Sequence, residues 1–487
     1  MKLEQLLERL EYTCVQGSLD REISGIANDS RQVVPGTLFF SIRGAVTDGH
    51  TYAAEVAEKG AVALLVEEPV EVPESVTVIQ VKDTRYAMAL VSAAWYDYPA
   101  EKLKVIGITG TKGKTTTTYM IKSILESAGH KVGLIGTIET IIGETHIPSS
   151  NTTPESVKIQ EYFHRMLEDG CDMAVMEVSS QGLMLNRTAG IPFEIGIFTN
   201  IEPDHIGPAE HKSFEDYMHC KGLLFRQCRI GIVNGDDEHL DQVLAGHTCK
   251  VETFGLSEKN DLRAENLKMV HKPGYLGISY HAVGMIDMDV EIDIPGKFSV
   301  YNSLAAIAVC LHFKVREADI KTALKQAKVK GRVELVKVSD DFTLMIDYAH
   351  NAMSLESLLT TLREYEPGRL VCLFGCGGDR DSTKRPVMGE VAASLADVVI
   401  LTSDNPRTED PEAILDQVAA GFPPGFSAWV RVADRRAAIR QALAMGRAGD
   451  VILLAGKGHE TYQEVGEARL PLDEREEIAS FFRESTL

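Results

Sequence analysis

The stretch Val105-Ile-Gly-Ile-Thr-Gly-Thr-Lys-Gly-Lys-Thr-Thr-Thr117 decides how the rest of the chain is read. An apolar run passes through a glycine-rich turn into a helix, which is the layout of a phosphate-binding loop. Gly110 and Gly113 let backbone amides turn inward without a Cβ clash, so the turn Gly110, Thr111, Lys112, Gly113 can wrap phosphate oxygens. Lys114 can reach the β and γ phosphates, the Thr115 hydroxyl can sit on Mg²⁺, and Thr116 follows in the same turn of helix. A nucleoside triphosphate is the expected ligand. The general pattern G-x-x-x-x-G-K-[ST] is not met in full, because Ile108 stands where its first glycine belongs and Gly107 lies one residue earlier. The loop by itself does not name a reaction.

At 487 residues the chain is too long for one ordinary core, and about three domains are expected. The net charge of −21 argues against a general nucleic-acid or acidic-membrane surface, so an anionic ligand needs local cations and helix N-termini. The opening MKLEQLLERLEY carries charges where a signal peptide is apolar, and no later apolar run has the length of a membrane span. A cytoplasmic protein, monomeric and without nucleic-acid partners, is expected. The eight cysteines are scattered without a CxxC pair, which predicts reduced thiols.

Strand and helix signals alternate along the chain. Residues 1–98 hold short apolar strands such as 36–42 and 61–66 with a helix over 52–59, and read as a small α/β domain. After the break at Tyr96-Asp-Tyr-Pro-Ala100, residues 99–331 read as a βα series. It has a strand over 103–109, a helix over 114–128, strands near 132–140, a helix near 155–168, and strands over 173–178, 195–199 and 231–234. Such alternation implies a mostly parallel, doubly wound sheet whose ligands gather at the carboxyl ends of strands. Short β segments over about 250–295 and a helix over 300–313 follow. Residues 332–487 form a third α/β unit, Rossmann-like but without a GxGxxG turn. Its expected strands are 343–347, 370–374, 398–402 and 451–455.

Met176-Glu-Val-Ser-Ser180 closes an apolar strand, placing Glu177 near the sheet edge that presents the phosphate loop, where its carboxylate is a candidate Mg²⁺ ligand. A second polar strand-end loop, Thr199-Asn-Ile-Glu-Pro-Asp-His205, is followed by Lys221 in a helix predicted over 214–225.

GTKGKTT (110–116), NTTP (151–154), MEVSSQGL (176–183), TNIEPDHIG (199–207), Lys221, VNGDD (233–237), GKFSVYNSLAAIA (296–308), VKGRVE (329–334) and DYAH (347–350) occur in the order and rough spacing of the Mur ligase family. The resemblance covers nearly the whole chain, and the altered glycine pattern of the loop is the form that family uses. It implies an ATP-dependent amide-forming enzyme with an N-terminal UDP-binding domain, a central ATPase and a C-terminal Rossmann-like domain. Further, GCGGDRD (375–381), SDNPR (403–407) and AGKGHETYQ (455–463) resemble the branch that adds the third residue of a UDP-muramyl peptide, in the form that takes meso-diaminopimelate.

What the resemblance implies for single residues is as follows. Lys114, Thr115 and Glu177 hold ATP and one Mg²⁺, while a second metal lies near His205 and a carbamate on Lys221. Asn302, Arg332, Asp347 and His350 contact ATP. Ser30, within Asp29-Ser30-Arg31, meets the uridine; Asn151, Thr152, Thr153, Ser179 and Arg187 hold the UDP-muramyl substrate. Arg380, Asp404, Asn405, Pro406, Arg407, Gly456 and Glu460 receive the amino acid. The chemistry agrees, since diaminopimelate carries a second amino-acid end. Arg407 offers a planar fork for a carboxylate, Arg380 another, and Asp404 and Glu460 can meet ammonium groups.

Gln181, Leu185, the continuation DYAHNAMSL and the tail LPLDERE (470–476) depart from the family pattern and point to a divergent member or paralogue. The alternatives within the fold are the same ligase acting on L-lysine or another amino acid, and a folylpolyglutamate synthase. Outside it stands a non-catalytic nucleotide-binding protein, against which the joint presence of Lys114, Glu177, His205 and Lys221 speaks.

Overall fold

The computed structural model describes residues 1–44, 47–204, 206–207, 210–272 and 274–484. The chain divides into two compact units, Met1–Arg263 with Ala305–Arg316, and Ala264–Leu304 with Glu317–Leu487. Two of the three boundaries fall inside the strand Leu262–Lys272 and the helix Lys297–His312, and the third falls in the loop before the helix Glu317–Gln326.

Two sheets share the first unit. The smaller has strand order Thr13–Gln16, Thr77–Gln80, Ala63–Val66, Thr37–Phe40, Gly25–Ala27, parallel except for its first strand. Its two faces bury separate apolar clusters, one around Leu38, Phe40 and Leu65 and one around Phe39, Leu64 and Val66, as alternation along the strands requires. The larger sheet runs Lys250–Gly255, Cys228–Asn234, Phe193–Phe198, Lys104–Thr109, Met173–Glu177, Val132–Ile135, all parallel. The strand expected near 132–140 is in fact two. Val132–Ile135 turns at Gly136, whose N–H donates to Glu139 O at 3.1 Å, and returns antiparallel as Glu139–Ile142; a Cβ on Gly136 would lie 2.7 Å from the Glu177 carboxylate.

Across three neighbouring strands of this sheet Gly107, Gly196 and Gly231 sit in register. A Cβ on Gly107 would meet the Phe193 ring at 2.7 Å, one on Gly196 the Cys228 Sγ at 2.8 Å and Leu224 Cγ at 3.2 Å, and one on Gly231 the Phe225 ring at 3.0 Å. The row is a shallow trough in the sheet, into which Leu224 and Phe225 settle, both fully buried. Those residues form the 3₁₀ turn Leu223–Arg226 that ends the helix Phe214–Gly222, so the single helix expected over 214–225 is an α-helix tightened at its end. The trough therefore fixes how closely Lys221 approaches the sheet.

The second unit has strand order Glu334–Val336, Thr343–Asp347, Val451–Ala455, Leu370–Phe374, Val398–Leu401, Trp429–Arg431, parallel except for the first. Leu344, Ile346, Val371, Leu373, Ile452 and Leu454 face Ala438, Ile439, Ala442 and Leu443 of the helix Arg435–Ala444. The hairpin Tyr462–Val465 with Ala468–Pro471 forms a separate two-stranded sheet. No helix among the described residues is long and apolar enough to cross a membrane.

Filling the trough is expected to be costly. Gly196→Val should destabilise the protein by about 1–3 kcal/mol, as overpacking of a close-packed interior does. The loss is measurable as a lower midpoint in thermal unfolding. An unchanged midpoint would mean that Leu224 and Phe225 do not depend on the trough.

Candidate active site

The turn after Lys104–Thr109 is built by crossed hydrogen bonds with the next strand end. Thr111 N–H donates to Asn200 O (2.9 Å), Lys112 N–H to Asn200 Oδ1 (2.9 Å), and Thr199 Oγ1 to Lys112 O (2.7 Å). Gly110 has φ 147° and Gly113 φ 86°, and a Cβ on Gly110 would lie 1.9 Å from Thr199 Oγ1, so only glycine fits there. The first bond within the helix Lys114–Ser127 is Thr117 N–H to Gly113 O (2.9 Å). The amides of a first helical turn point out of the helix N-terminus, where phosphate oxygens are received.

Two lysines converge on one carbonyl oxygen of this turn. Lys114 Nζ donates to Gly110 O at 2.8 Å and to Thr111 O at 3.1 Å, and Lys221 Nζ donates to the same Gly110 O at 2.9 Å. Lys221 is 1% exposed and lies 4.4 Å from the centroid of the Tyr217 ring. Burial, and then the neighbouring Lys114 charge, hold its pKa well below the ordinary lysine value, with Asp204 opposing weakly. The Tyr217 hydroxyl, its own pKa pushed up to about 12 by burial, is 3.2 Å from Thr111 Oγ1.

Glu177, 1% exposed, ends the neighbouring strand. Its carboxylate accepts Thr115 Oγ1 (3.1 Å), Thr137 N–H (2.8 Å) and Thr137 Oγ1 (2.9 Å). Thr137 Oγ1 lies 3.0 Å from Thr152 Oγ1, and Thr153 Oγ1 donates to Glu177 O (3.0 Å) while accepting Ser179 N–H (2.9 Å). Arg187 donates to Thr153 O (2.9 Å) and pairs with Glu155 (2.7 Å). Lys114, Thr115, Glu177, Thr152, Thr153, Ser179, Arg187 and Lys221 are thus joined in one hydrogen-bonded neighbourhood, with exposed Asn151 at its edge. The hydroxyls and the carboxylate are hard oxygen donors of the kind Mg²⁺ takes, whereas Lys221 fits a metal only after its amine has gained oxygens. His205 lies outside the described residues.

Ser30 lies on the other sheet of the unit, at the start of the 3₁₀ turn Ser30–Gln32. That turn is capped by Asp29, whose pKa is lowered to about 2 by the Arg31 side chain and amide. No hydrogen bond among the described residues links Ser30 to the loop neighbourhood. His211, Asp216 and Cys220 also approach one another within 4.8 Å, but each has a task within the fold. His211 Nε2 meets Ser180 Oγ at 2.9 Å, Asp216 accepts Lys212 N–H at 3.2 Å, and the Cys220 thiol is pushed up to about 11 by burial. All eight cysteines are free.

The second unit carries the remaining residues. Asn302 is buried; Asp347, 7% exposed, accepts Val333 N–H and Ala349 N–H at 2.7 Å each, and burial raises its pKa. The Tyr348 ring lies between His350 and His459, at centroid distances of 4.7 and 4.8 Å, with the Arg332 guanidinium 5.0 Å from its centre.

Elsewhere in this unit the loops 375–381, 403–407 and 456–464 meet. Gly378 N–H donates to Asn405 O (2.8 Å), and fully buried Arg385 grips Glu409 with both nitrogens at 2.8 Å while donating to Gly377 O (3.0 Å). Gly456, at φ 108°, leaves room for Asp404 Oδ2, and Pro406 packs its carbonyl against Gly378. Arg380 is exposed. Arg407 has φ 52°, in the left-handed region, held there by two strand-like bonds: its N–H to Glu464 O (3.0 Å) and Gly466 N–H to its O (2.7 Å).

Asp404 and Glu460, expected to meet ammonium groups of a substrate, already have cationic neighbours. Glu460 accepts Lys457 Nζ (2.6 Å) and Asn405 Nδ2 (3.0 Å), and Asp404 lies 3.9 Å from Arg435. Sequence reasoning overlooked Lys457, which is 0% exposed and also donates to Asn405 Oδ1 (2.8 Å). Only its place between two glycines in a motif-bearing loop signalled it.

The pattern describing the Mur ligase middle domain matches residues 108–310, that of the Mur ligase glutamate ligase domain residues 331–458, and that of the Mur ligase family catalytic domain residues 22–96. The chain is 45% identical to UDP-N-acetylmuramoyl-L-alanyl-D-glutamate–2,6-diaminopimelate ligase 1 of Clostridium acetobutylicum, over 99% of this chain and 100% of that protein. It is 42% identical to the 2,6-diaminopimelate ligase of Caldanaerobacter subterraneus subsp. tengcongensis, over 100% of both. Among solved structures, one of a UDP-N-acetylmuramoyl-L-alanyl-D-glutamate–2,6-diaminopimelate ligase aligns with a TM-score of 0.74 and 28% identity, covering 100% of this chain and 99% of that one.

The buried amine of Lys221 sets a sign for stability. Its folded pKa lies below the unfolded 10.5, so the unfolded chain binds more protons and stability rises with pH through that window, by about 1.4 kcal/mol per unit. In carbon-dioxide-depleted buffer, Lys221→Met should raise the unfolding midpoint at pH 7, and the gain should shrink toward pH 10. Glu177→Ala, which strips the Thr115 and Thr137 donors of their acceptor, should instead cost about 1–3 kcal/mol. Calorimetry on the two variants checks both signs.

Proposed function

The chain belongs to the Mur ligase family, and from that membership we propose that it joins meso-diaminopimelate to UDP-N-acetylmuramoyl-L-alanyl-D-glutamate at the expense of ATP, in peptidoglycan synthesis. The observation that carries the reading is the coexistence of a nucleotide loop, tied through Thr115 to a buried carboxylate, with a loop cluster that holds charges of both signs. A diamino dicarboxylic acid needs such a cluster, and a cytoplasmic, soluble monomer suits nucleotide-linked substrates. The roles divide as residues 1–98 for the UDP end, 99–331 for ATP and 332–487 for the amino acid.

A carboxylate is a poor electrophile and its oxygen a poor leaving group, so it must be activated. Its oxygen attacks the γ-phosphorus, the bond to the β-phosphate oxygen breaks, and ADP leaves behind an acyl phosphate. The diaminopimelate amine then attacks the acyl carbon, loses a proton, and the tetrahedral adduct expels phosphate as the amide forms. Catalysis is positioning and neutralisation of two anions that repel each other.

Lys114 turns its ammonium from the carbonyls of Gly110 and Thr111 to the phosphates, and Thr115 and Glu177 face the metal. Mg²⁺, when bound, neutralises charge on the transferring phosphoryl group. Lys221, whose charged form burial disfavours, is suited to take up carbon dioxide and present carbamate oxygens. Asn302, Arg332, Asp347 and His350 serve ATP in this reading; Ser30 the uridine; Asn151, Thr152, Thr153, Ser179 and Arg187 the muramyl dipeptide. Arg407 and Arg380 meet carboxylates of the amino acid, with Asn405 and Glu460 held ready by Lys457.

Incubated with ATP, Mg²⁺, UDP-muramoyl-L-alanyl-D-glutamate and meso-diaminopimelate, the protein should release one phosphate per amide, with the tripeptide seen by mass. No release with any muramyl substrate would overturn the function; release with lysine but not diaminopimelate would overturn the amino acid alone. Lys221→Ala should lose at least about a hundredfold in kcat and recover in part with added short-chain carboxylates. Loss without recovery would count against the carbamate.

A further inference from the structure

The fork of Arg407 is not open on all sides. Its Nε donates to Glu464 Oε2 at 2.9 Å and its Nη1 to Gly378 O at 2.7 Å, while Nη2 makes no hydrogen bond among the described residues. The other carboxylate oxygen, Glu464 Oε1, is bound by Arg469, at 3.0 Å from Nη2 and 3.1 Å from Nε, and Arg469 lies over the Tyr462 ring at 4.6 Å. The Arg407 and Glu464 side chains are only 24% and 20% exposed, so solvent screens their attraction incompletely. The backbones are stitched by the two bonds that hold Arg407 in its left-handed conformation, and the Glu464 carboxylate is held beside the guanidinium by its bonds to Arg407 Nε and to Arg469.

We infer that Glu464 is a specificity-determining residue, which holds a negative charge on the side edge of Arg407 and so sets how strongly the pocket prefers a second carboxylate on the incoming amino acid. The inference rests on the reading of Arg407 as a carboxylate-binding residue of this ligase. A carboxylate that approaches the fork must share it with Glu464 and is repelled by it, whereas a bare distal ammonium, as in lysine, is repelled less than by an uncompensated arginine. Glu464 therefore narrows the gap between the two substrates. Arg469 acts in the opposite sense, by drawing part of the Glu464 charge away from Arg407. Orientation of the guanidinium does not depend on that charge, because Gly378 O holds Nη1 and an amide oxygen at position 464 can still accept Nε–H.

That difference separates charge from shape in the test. With saturating ATP and UDP-muramoyl-L-alanyl-D-glutamate, Glu464→Gln should lower KM for meso-diaminopimelate about three- to tenfold with kcat little changed. It should raise by a similar factor the concentration at which lysine competes. Arg469→Ala should raise KM for meso-diaminopimelate, and in the double variant Glu464→Gln with Arg469→Ala the second change should add little. A KM for meso-diaminopimelate that is unchanged or raised in Glu464→Gln overturns the inference, and so does an equal shift for lysine. Should Glu464→Gln fold poorly, the Arg469→Ala result decides alone, a lowered or unchanged KM refuting it. Absence of turnover in the unaltered protein would instead refute the ligase reading.

Discussion

Two lysine side chains donating to the single carbonyl oxygen of Gly110 are the constraint around which the nucleotide-loop neighbourhood is arranged. A carbonyl oxygen can accept two donors, but two ammonium ions drawn to it in a buried place repel each other at close range. The conflict falls mainly on the more buried amine, Lys221, whose pKa burial and the Lys114 charge hold well below the ordinary lysine value. The two lysines therefore differ: Lys114 is the less buried, and Lys221 is the one whose charged form burial disfavours. Neither property belongs to the residue type alone.

That arrangement depends on a feature far from any reacting atom. Lys221 reaches Gly110 because the turn after it, Leu223–Arg226, sinks into a trough of three glycines aligned across adjacent strands. Side chains at these positions would lift the helix end by the thickness of a methyl group, and a 2.9 Å hydrogen bond does not survive a shift of that size. Packing density in the sheet therefore controls the electrostatics of the loop.

Much of this was legible in the sequence. The strand–turn–helix of 105–117, the parallel series that follows, and the motifs that mark the family are local patterns, so the three α/β parts could be named, along with Lys114, Thr115, Glu177 and Lys221, which the fold brings together. What escaped reading is non-local. Nothing in Phe214–Gly222 says that Lys221 will meet a carbonyl 111 residues away. Glycines at 107, 196 and 231 are unremarkable singly and acquire meaning only through strand register. Two of the three borders between the compact units fall within a strand and a helix, where no glycine or proline cluster announces them. Lys457 reads as a surface lysine between glycines, yet it is wholly buried. Glu464 follows directly on the family motif that ends at Gln463, and its charge matters only because the hairpin brings it to Arg407.

The loop cluster of the second unit brings charges of both signs together without leaving the buried ones alone. Lys457 compensates Glu460, Arg435 compensates Asp404 and Glu474, and Glu464 compensates Arg407 and Arg469. Each pair lowers the desolvation cost of folding, since an isolated buried ion would be prohibitive. An incoming substrate then gains only the difference between its own ion pairs and those it displaces or shares. On the proposed reading, selectivity between two amino acids that differ by one carboxylate is then set by Arg407 and trimmed by the acid that already stands beside it.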